Sequence, residues 1–411
     1  MNQLGTSSED FFEEQPYGWV IVAVATTCLA LGFGINATVA VLIKPFEQEF
    51  GWSRTDISSV YSVLTIGAAI GGIFWGIMSD KIGSKKIALL GAFALAFGVI
   101  GVSFQNTLWT IYAAFFLIGA IGFSCLFTPL LALTGLWFNK RKGLALGIVT
   151  AGGAIGQGVV PFVLRLLITA VGWRDALFYL GVGYLILLLP LIVLLKPPPV
   201  LTEMTTTVSK SDDNLWGMSH KITVPWLGLA GIFCCICMAV PLIHLVSLGT
   251  DLGFSAEIAT SLLLVLMVSG MFGRLFFGAL ADRIGGLYAY FAASLSQTSV
   301  VFLFVQTESL GLLYVLSAIF GFGFAGVMTC LIICAREATP LRITGMGVAI
   351  VTTTAWIGMG VGGFQGGYFY DLTGNYTLSY GNAAIAGLIN LTITGALILY
   401  RRSQMPRLQS A

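Results

Sequence analysis

The segment GALADRIG, at Gly278–Gly285, repeats the pattern of GIMSDKIG, at Gly76–Gly83, 202 residues earlier in the chain. The same distance relates GLALGIVTAGGAIGQGV, at Gly143–Val159, to GMGVAIVTTTAWIGMGV, at Gly345–Val361. A third match at this distance pairs Gly51 and Ser53 with Gly253 and Ser255. One distance at three separated places predicts an internal repeat, so the fold is expected to contain two similar halves.

The composition is that of a membrane protein. Of the 411 residues, 57% are hydrophobic and 9% are charged, whereas soluble domains carry about 25% charged residues. The mean hydropathy is +0.93. Glycine occurs 51 times without a Gly-X-Y period, which excludes collagen and is typical of helices that pack closely in lipid. The expected surrounding is therefore a lipid bilayer, and nucleic acid is not an expected partner.

Twelve apolar runs are long enough to cross a membrane, which takes about 20 residues each. Between the sixth and the seventh lies 197–223, a segment with three prolines and a threonine run that reads as a solvated linker. We therefore predict an all-α membrane protein with an N-terminal half, 1–196, and a C-terminal half, 224–411. Six spans is an even number, so the halves point the same way and form a parallel pseudo-twofold repeat. The predicted spans are 18–43, 56–78, 87–104, 108–136, 143–170, 175–195, 224–249, 256–280, 287–305, 309–334, 343–369 and 377–400.

The distribution of Lys and Arg predicts the orientation. If both termini lie inside, the cytoplasmic segments contain fifteen of these residues and the outside loops three, and Arg165 and Arg274 fall within spans. Cytoplasmic loops carry the excess of basic residues in membrane proteins. Both termini are therefore expected in the cytoplasm, with the chain in the cell's inner membrane as a monomer.

The sequence shows no sign of an enzyme, a cofactor or a metal site. All seven cysteines lie in apolar runs, and no histidine or carboxylate stands near Cys234, Cys235 and Cys237 to complete a metal site. The glycine-rich stretch from Gly143 lacks the Lys-Ser/Thr ending of a phosphate-binding loop. No set of nucleophile, base and carboxylate appears. Neither catalysis nor a cofactor is therefore expected.

The stretch GIMSDKIGSKK, from Gly76, resembles the motif that joins the second and third helices of major facilitator transporters. Glycine lets helices approach closely, the carboxylate at a helix end accepts hydrogen bonds, and the basic residues lie at the anionic leaflet. The resemblance implies a role in conformational switching for this motif. Its members are Gly76, Asp80, Lys81 and Gly83, with Gly278, Asp282 and Arg283 in the second copy.

Over nearly its full length the chain resembles the bacterial branch of the monocarboxylate porter family. The likeness rests on YGWVIV, GLWFNKRKGLALGIVTAGGAIGQ, GWRDALFYLG, PLIHLVSLGTDLGFS and GRLFFGALADRIG, and oxalate–formate exchangers share several of these. The resemblance implies secondary transport of a small monocarboxylate, such as lactate or pyruvate, by alternating access between two conformations. Oxalate–formate exchange and efflux of other small molecules remain as alternatives.

Arg274 is the residue on which the functional prediction depends. It lies eight residues before Asp282, or about 12 Å along a helix, and so near the midplane of the membrane. Its repeat equivalent is Gly72, so the charge belongs to one half only, and no acidic residue lies well inside a predicted span. A substrate carboxylate is therefore the expected counter-ion, although the arginine could instead bond backbone carbonyls. The resemblance also implies that the arginine of the eighth span binds the carboxylate.

The chain departs from the animal porters at their proton-coupling residues. These porters carry an aspartate one turn before the arginine, where this chain has Gly270, and a lysine in the first span, where LGFGINATVAV has none. The coupling partner, a proton or a counter-anion, therefore stays open. His244 is the remaining titratable group well within a span, either as a proton site or outer-gate ligand, or as a histidine bonded to a neighbouring helix. Further candidates for the substrate site are polar or aromatic residues within the spans: Asn36, Tyr61, Thr128, Gln157 and Trp356.

Overall fold

The computed structural model describes residues 16–138, 141–198, 216, 218–340 and 343–408. Most of the predicted linker therefore lies outside the described residues. Every regular element in the described part of the chain is a helix, as the apolar composition predicts. The α-helices are α1 (Tyr17–Phe50), α2 (Arg54–Ile82), α3 (Ser84–Ser103), α4 (Leu108–Leu117), α5 (Ser124–Trp137), α6 (Lys142–Val193), α7 (His220–Asp251), α8 (Ala256–Ile284), α9 (Gly286–Val301), α10 (Leu310–Glu337), α11 (Thr344–Thr373) and α12 (Thr377–Leu408).

Two short elements extend these helices. A π-helical stretch, Ile118–Phe123, joins α4 to α5, and a 3₁₀ turn, Phe302–Val305, continues α9. With these extensions, eleven helices in the described residues are long and apolar enough to cross a membrane. Helices of this length and composition keep their backbone polar groups paired within lipid, so the chain is a multi-pass membrane protein.

The difference between eleven helices and twelve predicted spans lies in α6. This helix has 52 residues, or roughly 78 Å at the usual rise, although a bilayer core is only about 30 Å thick. Gly172 lies within it at φ 81° and ψ 164°, which is not a helical conformation. The break falls between the predicted spans 143–170 and 175–195, and a left-handed φ is readily adopted by glycine.

The ends of α2 and α8 have matching geometry. Ser53 and Ser255 cap the two helices by accepting hydrogen bonds from the backbone N–H of Asp56 and Ile258. Both helices have 29 residues and their bounds are 202 positions apart. Each ends at a glycine with positive φ, 94° at Gly83 and 88° at Gly285, which allows the immediate turn into the next helix. The capping and turn residues of the sequence repeat thus have the same local structure in both copies.

We refer to α1–α6 as the N-terminal group and to α7–α12 as the C-terminal group. Within the first, α1 packs on α6 and α2 on α4; within the second, α7 packs on α11 and α8 on α10. The two groups meet where α2 faces α11, α6 faces α8, and α1 faces α7. Glycine permits close packing of these helices: a Cβ added at Gly273 of α8 would lie 2.0 Å from the carbonyl oxygen of Phe322 on α10.

Candidate functional site

Arg274 crosses from the C-terminal group to the N-terminal group. Its Nη1 donates a hydrogen bond of 2.7 Å to the backbone carbonyl of Thr150 on α6. The neighbouring Gly273 holds α8 tightly against α10, so the next side chain along the helix is directed towards α6. The backbone of one group is thus joined to the side chain of the other.

The guanidinium of Arg274 has unused hydrogen-bonding capacity. Its side chain is half-buried, and its Nε has no hydrogen-bond partner among the described residues. No carboxylate of the described chain lies within ion-pair distance of it. A guanidinium offers five N–H donors in a fork that fits a carboxylate. The backbone bond, one of the two roles left open by the sequence, therefore occupies only part of the group.

Four aromatic residues from α1, α5, α11 and the π-helical stretch contact one another, and we call them the aromatic cluster: Phe33, Phe123, Phe127 and Trp356. Phe33 of α1 is edge-on to Phe123 and Phe127, with ring centroids 4.8 Å and 5.2 Å away. Trp356 of α11 stacks on Phe33 at 6.5 Å and meets Phe123 edge-on at 5.5 Å. These are favourable geometries for aromatic pairs. The cluster therefore also joins the two helix groups.

The aromatic cluster lies close to Arg274 because both contact α6. A Cβ added at Gly153 would lie 2.8 Å from a carbon of the Phe33 ring. Gly153 is three residues after Thr150, which accepts the hydrogen bond from Arg274. Residues three apart on a helix are neighbours, about 5–6 Å from each other. The guanidinium and the Phe33 ring therefore contact α6 at positions one helical turn apart.

Two of the predicted site residues are buried polar groups without partners. Both amide atoms of Asn36 and the hydroxyl of Tyr61 have no hydrogen-bond partner among the described residues, and both side chains are 0% exposed. Asn36 lies one turn beyond Phe33 on α1, and Tyr61 of α2 packs against Gly363 of α11. A buried polar group without a partner costs about 1–3 kcal/mol, so these positions call for a functional or hydrated state.

The two remaining predicted site residues, Thr128 and Gln157, lie elsewhere in the helix packing. Thr128 is partly exposed, and its methyl group would lie 3.2 Å from a Cβ added at Gly76. Gln157 is 5% exposed and precedes Gly158, which packs on Leu264 of α8. Of the predicted site residues, the structure thus brings Arg274 and Trp356 to one region with Asn36 near it, while Tyr61 and Gln157 lie in the contacts between the groups.

His244 is paired at both ring nitrogens. Its Nε2 lies 2.9 Å from the carbonyl oxygen of Gly363, and its Nδ1 lies 3.2 Å from the hydroxyl of Tyr376. A carbonyl only accepts, so Nε2 carries the hydrogen and Nδ1 is free to accept from Tyr376. The side chain is fully buried. This is the arrangement of a histidine bonded to neighbouring helices.

A second group of residues closes the end of the molecule where α1 ends and α2 begins. Arg54, 1% exposed, donates to both carboxylate oxygens of Asp251 on α7, at 2.5 Å and 2.9 Å. It also donates to the hydroxyl of Tyr376 at 2.9 Å. Lys44 reaches Asp251 at 2.7 Å and Glu47 at 3.2 Å. We call these five residues the Arg54 cluster.

The Arg54 cluster is strengthened by the end of α11. The carboxylate of Asp371 accepts hydrogen bonds from the backbone N–H groups of Arg54 and Thr55 and from the Thr55 hydroxyl. A carboxylate at a helix N-terminus is also favoured by the helix dipole. The guanidinium of Arg54 lies 3.6 Å from the ring centroid of Tyr370. The first turn of α2 is thus held by α7 and α11 together.

The motif from Gly76 and its second copy from Gly278 are described only in part. Gly83 and Gly285 make the sharp turns, while Lys81, Asp282 and Arg283 are exposed. The side chain of Asp80 lies outside the described residues. Near the second copy, Glu337 of α10 accepts a hydrogen bond of 3.2 Å from the backbone N–H of Gly286 at the start of α9.

Sequence reasoning missed the Arg54 cluster and three of the four aromatic residues. In the sequence, Arg54, Asp251 and Asp371 each lie two residues outside the end of a predicted span. A signal was present, because opposite charges stand at several span ends on the same predicted side. Phe33, Phe123 and Phe127 carried no signal beyond their apolar character.

The described residues contain no group of three or more His, Cys, Asp or Glu side chains that could hold a metal ion. All seven cysteines lie among these residues, and they are buried and unbridged. The candidate site consists of Arg274, the aromatic cluster and the buried polar groups Asn36 and Tyr61.

Comparisons with known proteins agree with this architecture. A family model described as "Major Facilitator Superfamily" matches residues 22–363. The chain is 26% identical to "Monocarboxylate transporter 13" of Rattus norvegicus, over 93% of this chain and 88% of that protein. It is 27% identical to "MFS-type transporter 1" of Ophiocordyceps sp. (strain BCC 1869), over 84% of this chain and 78% of that protein.

A solved structure supports the fold. The crystal structure of a D-xylose-proton symporter matches with a TM-score of 0.74 at 17% identity, covering 92% of this chain and 97% of that one. The family and the fold are those of a membrane transporter for small molecules rather than of an enzyme. Because the family model covers most of its length, the chain belongs to the Major Facilitator Superfamily.

Proposed function

We propose that this protein is a secondary active transporter that moves a small monocarboxylate, of the lactate or pyruvate type, by alternating access. The observation that carries the proposal is the guanidinium of Arg274, held between the two helix groups with no carboxylate partner among the described residues. A charge at that depth is costly unless it has a function or a partner. Monocarboxylate transporters among the relatives support the substrate class.

The proposed topology in the membrane, which we call the proposed frame, has twelve spans in two parallel halves, 1–196 and 224–411, joined by the linker 197–223. The non-helical Gly172 supports two spans within α6. The equal lengths and the 202-residue spacing of α2 and α8 support the repeat. The excess of Lys and Arg supports cytoplasmic termini in the inner membrane.

In this frame the structure corresponds to an inward-facing conformation. The Arg54 cluster closes the end that the frame places outside, and residues 234–249 of α7, which lead up to it, are all buried. On the other side of Thr150, Gly143 and Gly147 of α6 face open space, since a Cβ added at either would meet no atom within 4 Å. The path to Arg274 is thus proposed to open towards the cytoplasm.

The contact of Arg274 with Thr150 suggests how the substrate acts on the conformation. A carboxylate that binds the guanidinium competes with the Thr150 carbonyl for the same donors. Because α8 and α6 belong to different groups, this exchange changes a bond between them. A ligand shifts a conformational equilibrium only through such a difference in contacts.

The other candidates have supporting roles in the proposal. Asn36 and Tyr61 offer unpaired polar atoms to the substrate or to water. Thr128, Gln157 and Trp356 line the substrate pathway. The motif at Gly76–Gly83 and its second copy at Gly278–Gly285 rearrange between conformations. His244 supports the outer closure through Tyr376. The coupling partner is a proton or a counter-anion.

A single fixed positive charge favours a monocarboxylate over a dicarboxylate such as oxalate. Oxalate–formate exchange therefore ranks as the second candidate function. Efflux of other small molecules is the third candidate. It would not depend on Arg274.

The test is binding and uptake of labelled lactate, pyruvate and oxalate by purified protein in liposomes. Arg274→Lys keeps the charge but loses the fork, and the loss of a charge-assisted bond corresponds to roughly ten- to hundredfold weaker binding. Arg274→Ala should abolish carboxylate uptake while the purified protein stays folded. Arg402→Lys, at an arginine bonded to Tyr288, is the control. Parent-like uptake by Arg274→Ala would refute the proposal.

A further inference from the structure

We infer that the preferred substrate is a monocarboxylate that carries an aromatic ring, with its carboxylate on Arg274 and its ring against the aromatic cluster. This inference rests on the proposed function and narrows its substrate class. Two sets of observations carry it: the exposure and composition of the aromatic cluster, and its distance from the arginine.

The aromatic cluster retains uncovered ring surface. Phe123 is 2% exposed and forms its buried base, while Phe33, Phe127 and Trp356 are each partly exposed. Phe33 contacts α6 through Gly153 and contacts the other three rings, so it lies inside the helix bundle. Its uncovered surface therefore faces the space between the groups. Rings that served only for packing would be covered there.

The cluster is divided between the moving parts. Phe33, Phe123 and Phe127 belong to the N-terminal group, and Trp356 belongs to the C-terminal group. Phe33 and Trp356 face each other at an interplanar angle of 27° with centroids 6.5 Å apart. When the two helix groups move relative to each other, the distance between the Phe33 and Trp356 rings changes. A planar ring that contacts both sides therefore binds one arrangement better than another, which is the condition for a transported substrate.

The distance to the charge sets the length of the ligand. The guanidinium bonds Thr150, and Phe33 packs at Gly153, one helical turn along α6. This separation fits an aryl group joined to its carboxylate by one or two carbons, as in an arylacetate or an aryl-2-oxo acid. Acetate or lactate on Arg274 would leave the rings uncovered.

The experiment measures the affinity of purified protein for each of four acids directly, by calorimetric titration: acetate, cyclohexylacetate, phenylacetate and indole-3-acetate. Ring burial should make phenylacetate at least about 30-fold tighter than acetate. Aromatic contacts should make it about 2- to 10-fold tighter than cyclohexylacetate, which has a similar volume.

Variants assign the preference to the cluster. Trp356→Leu should remove the advantage of phenylacetate over cyclohexylacetate, and Trp356→Phe should retain most of it. Trp109→Leu, at a tryptophan that is 77% exposed and outside the cluster, should change nothing. If acetate and phenylacetate bind equally and both depend on Arg274, the inference is wrong and the proposed function stands. If no carboxylate binds, or if binding is independent of Arg274, the proposed function itself falls.

Discussion

Arg54 and Asp251 form a two-pronged ion pair across the two helix groups, with Nη1–Oδ2 at 2.5 Å and Nη2–Oδ1 at 2.9 Å. Arg54 stands at the start of α2 and Asp251 is the last residue of α7. The arginine is 1% exposed and the aspartate side chain 25%. A pair with this geometry and burial contributes more than a surface ion pair. It is therefore positioned to stabilise the closed end of the molecule.

The first prediction follows from removing one member of this pair. Arg54→Ala leaves Asp251 with Lys44 alone, and Asp251 is partly exposed, so the closed conformation should lose about 1–3 kcal/mol, less than a fully buried pair would. A cysteine introduced at Ser247, which is buried one turn before Asp251, reports the opening. Its labelling by a membrane-impermeant maleimide from outside should rise several-fold.

Arg174→Ala is the matched control for this experiment. It breaks the pair with Glu49 at 2.7 Å, which lies entirely within the N-terminal group. Labelling at position 247 should stay at the parent level in this variant. Equal labelling in Arg54→Ala and the parent would show that the Arg54–Asp251 pair does not hold the end closed.

The second prediction concerns topology. In the proposed frame the linker is cytoplasmic and the loop between α9 and α10 is outside. On intact cells, an impermeant maleimide should label Glu308→Cys but not Ser209→Cys, and permeabilised cells should show both. Glu308 is exposed, so access to it does not depend on opening the structure. Labelling of Ser209→Cys but not of Glu308→Cys on intact cells would mean that the chain has the opposite orientation in the membrane.

The third prediction concerns His244. Its two nitrogens are engaged by Gly363 and Tyr376, and protonation would place a second N–H against a hydroxyl that already accepts from Arg54. We therefore expect it to stay neutral during transport. His244→Gln should lower thermal stability by the equivalent of about 1–3 kcal/mol and leave the shape of the pH profile of uptake unchanged between about pH 5 and pH 8.

Tyr376→Phe distinguishes an effect of His244 itself from an effect of its hydrogen-bond partner. It removes the hydroxyl that links His244 to Arg54 while keeping the ring. This variant should also leave the pH profile unchanged. A profile that becomes flat in His244→Gln but not in Tyr376→Phe would identify His244 as the proton site.

The parts of this molecule that the sequence could predict are those fixed by local properties. Helix length, the apolar runs and the lone charge at Arg274 depend on short stretches of chain. The Arg54 cluster and the stacking of Phe33 on Trp356 join residues that are distant in sequence and lie on different helices. Local periodicity contains no information on such pairs. The non-helical Gly172 within α6 lies between the predicted spans 143–170 and 175–195, so this boundary also coincides with a local feature of the chain.

The last prediction concerns Asn36, whose amide oxygen and nitrogen are both buried without a partner among the described residues. Leucine has nearly the same shape and needs no hydrogen bonds, so Asn36→Leu should raise the stability of the ligand-free protein by about 1 kcal/mol. If the amide binds substrate in another conformation, the same change should weaken uptake. Thr38→Val is the matched control, because Thr38 is equally buried on α1 but donates to Ile35 at 2.7 Å. Thermal unfolding of both variants without ligand, beside uptake in liposomes, measures both effects. A lower melting temperature for Asn36→Leu than for the parent would mean that the amide is satisfied in the resting protein, and unchanged uptake would remove Asn36 from the substrate site.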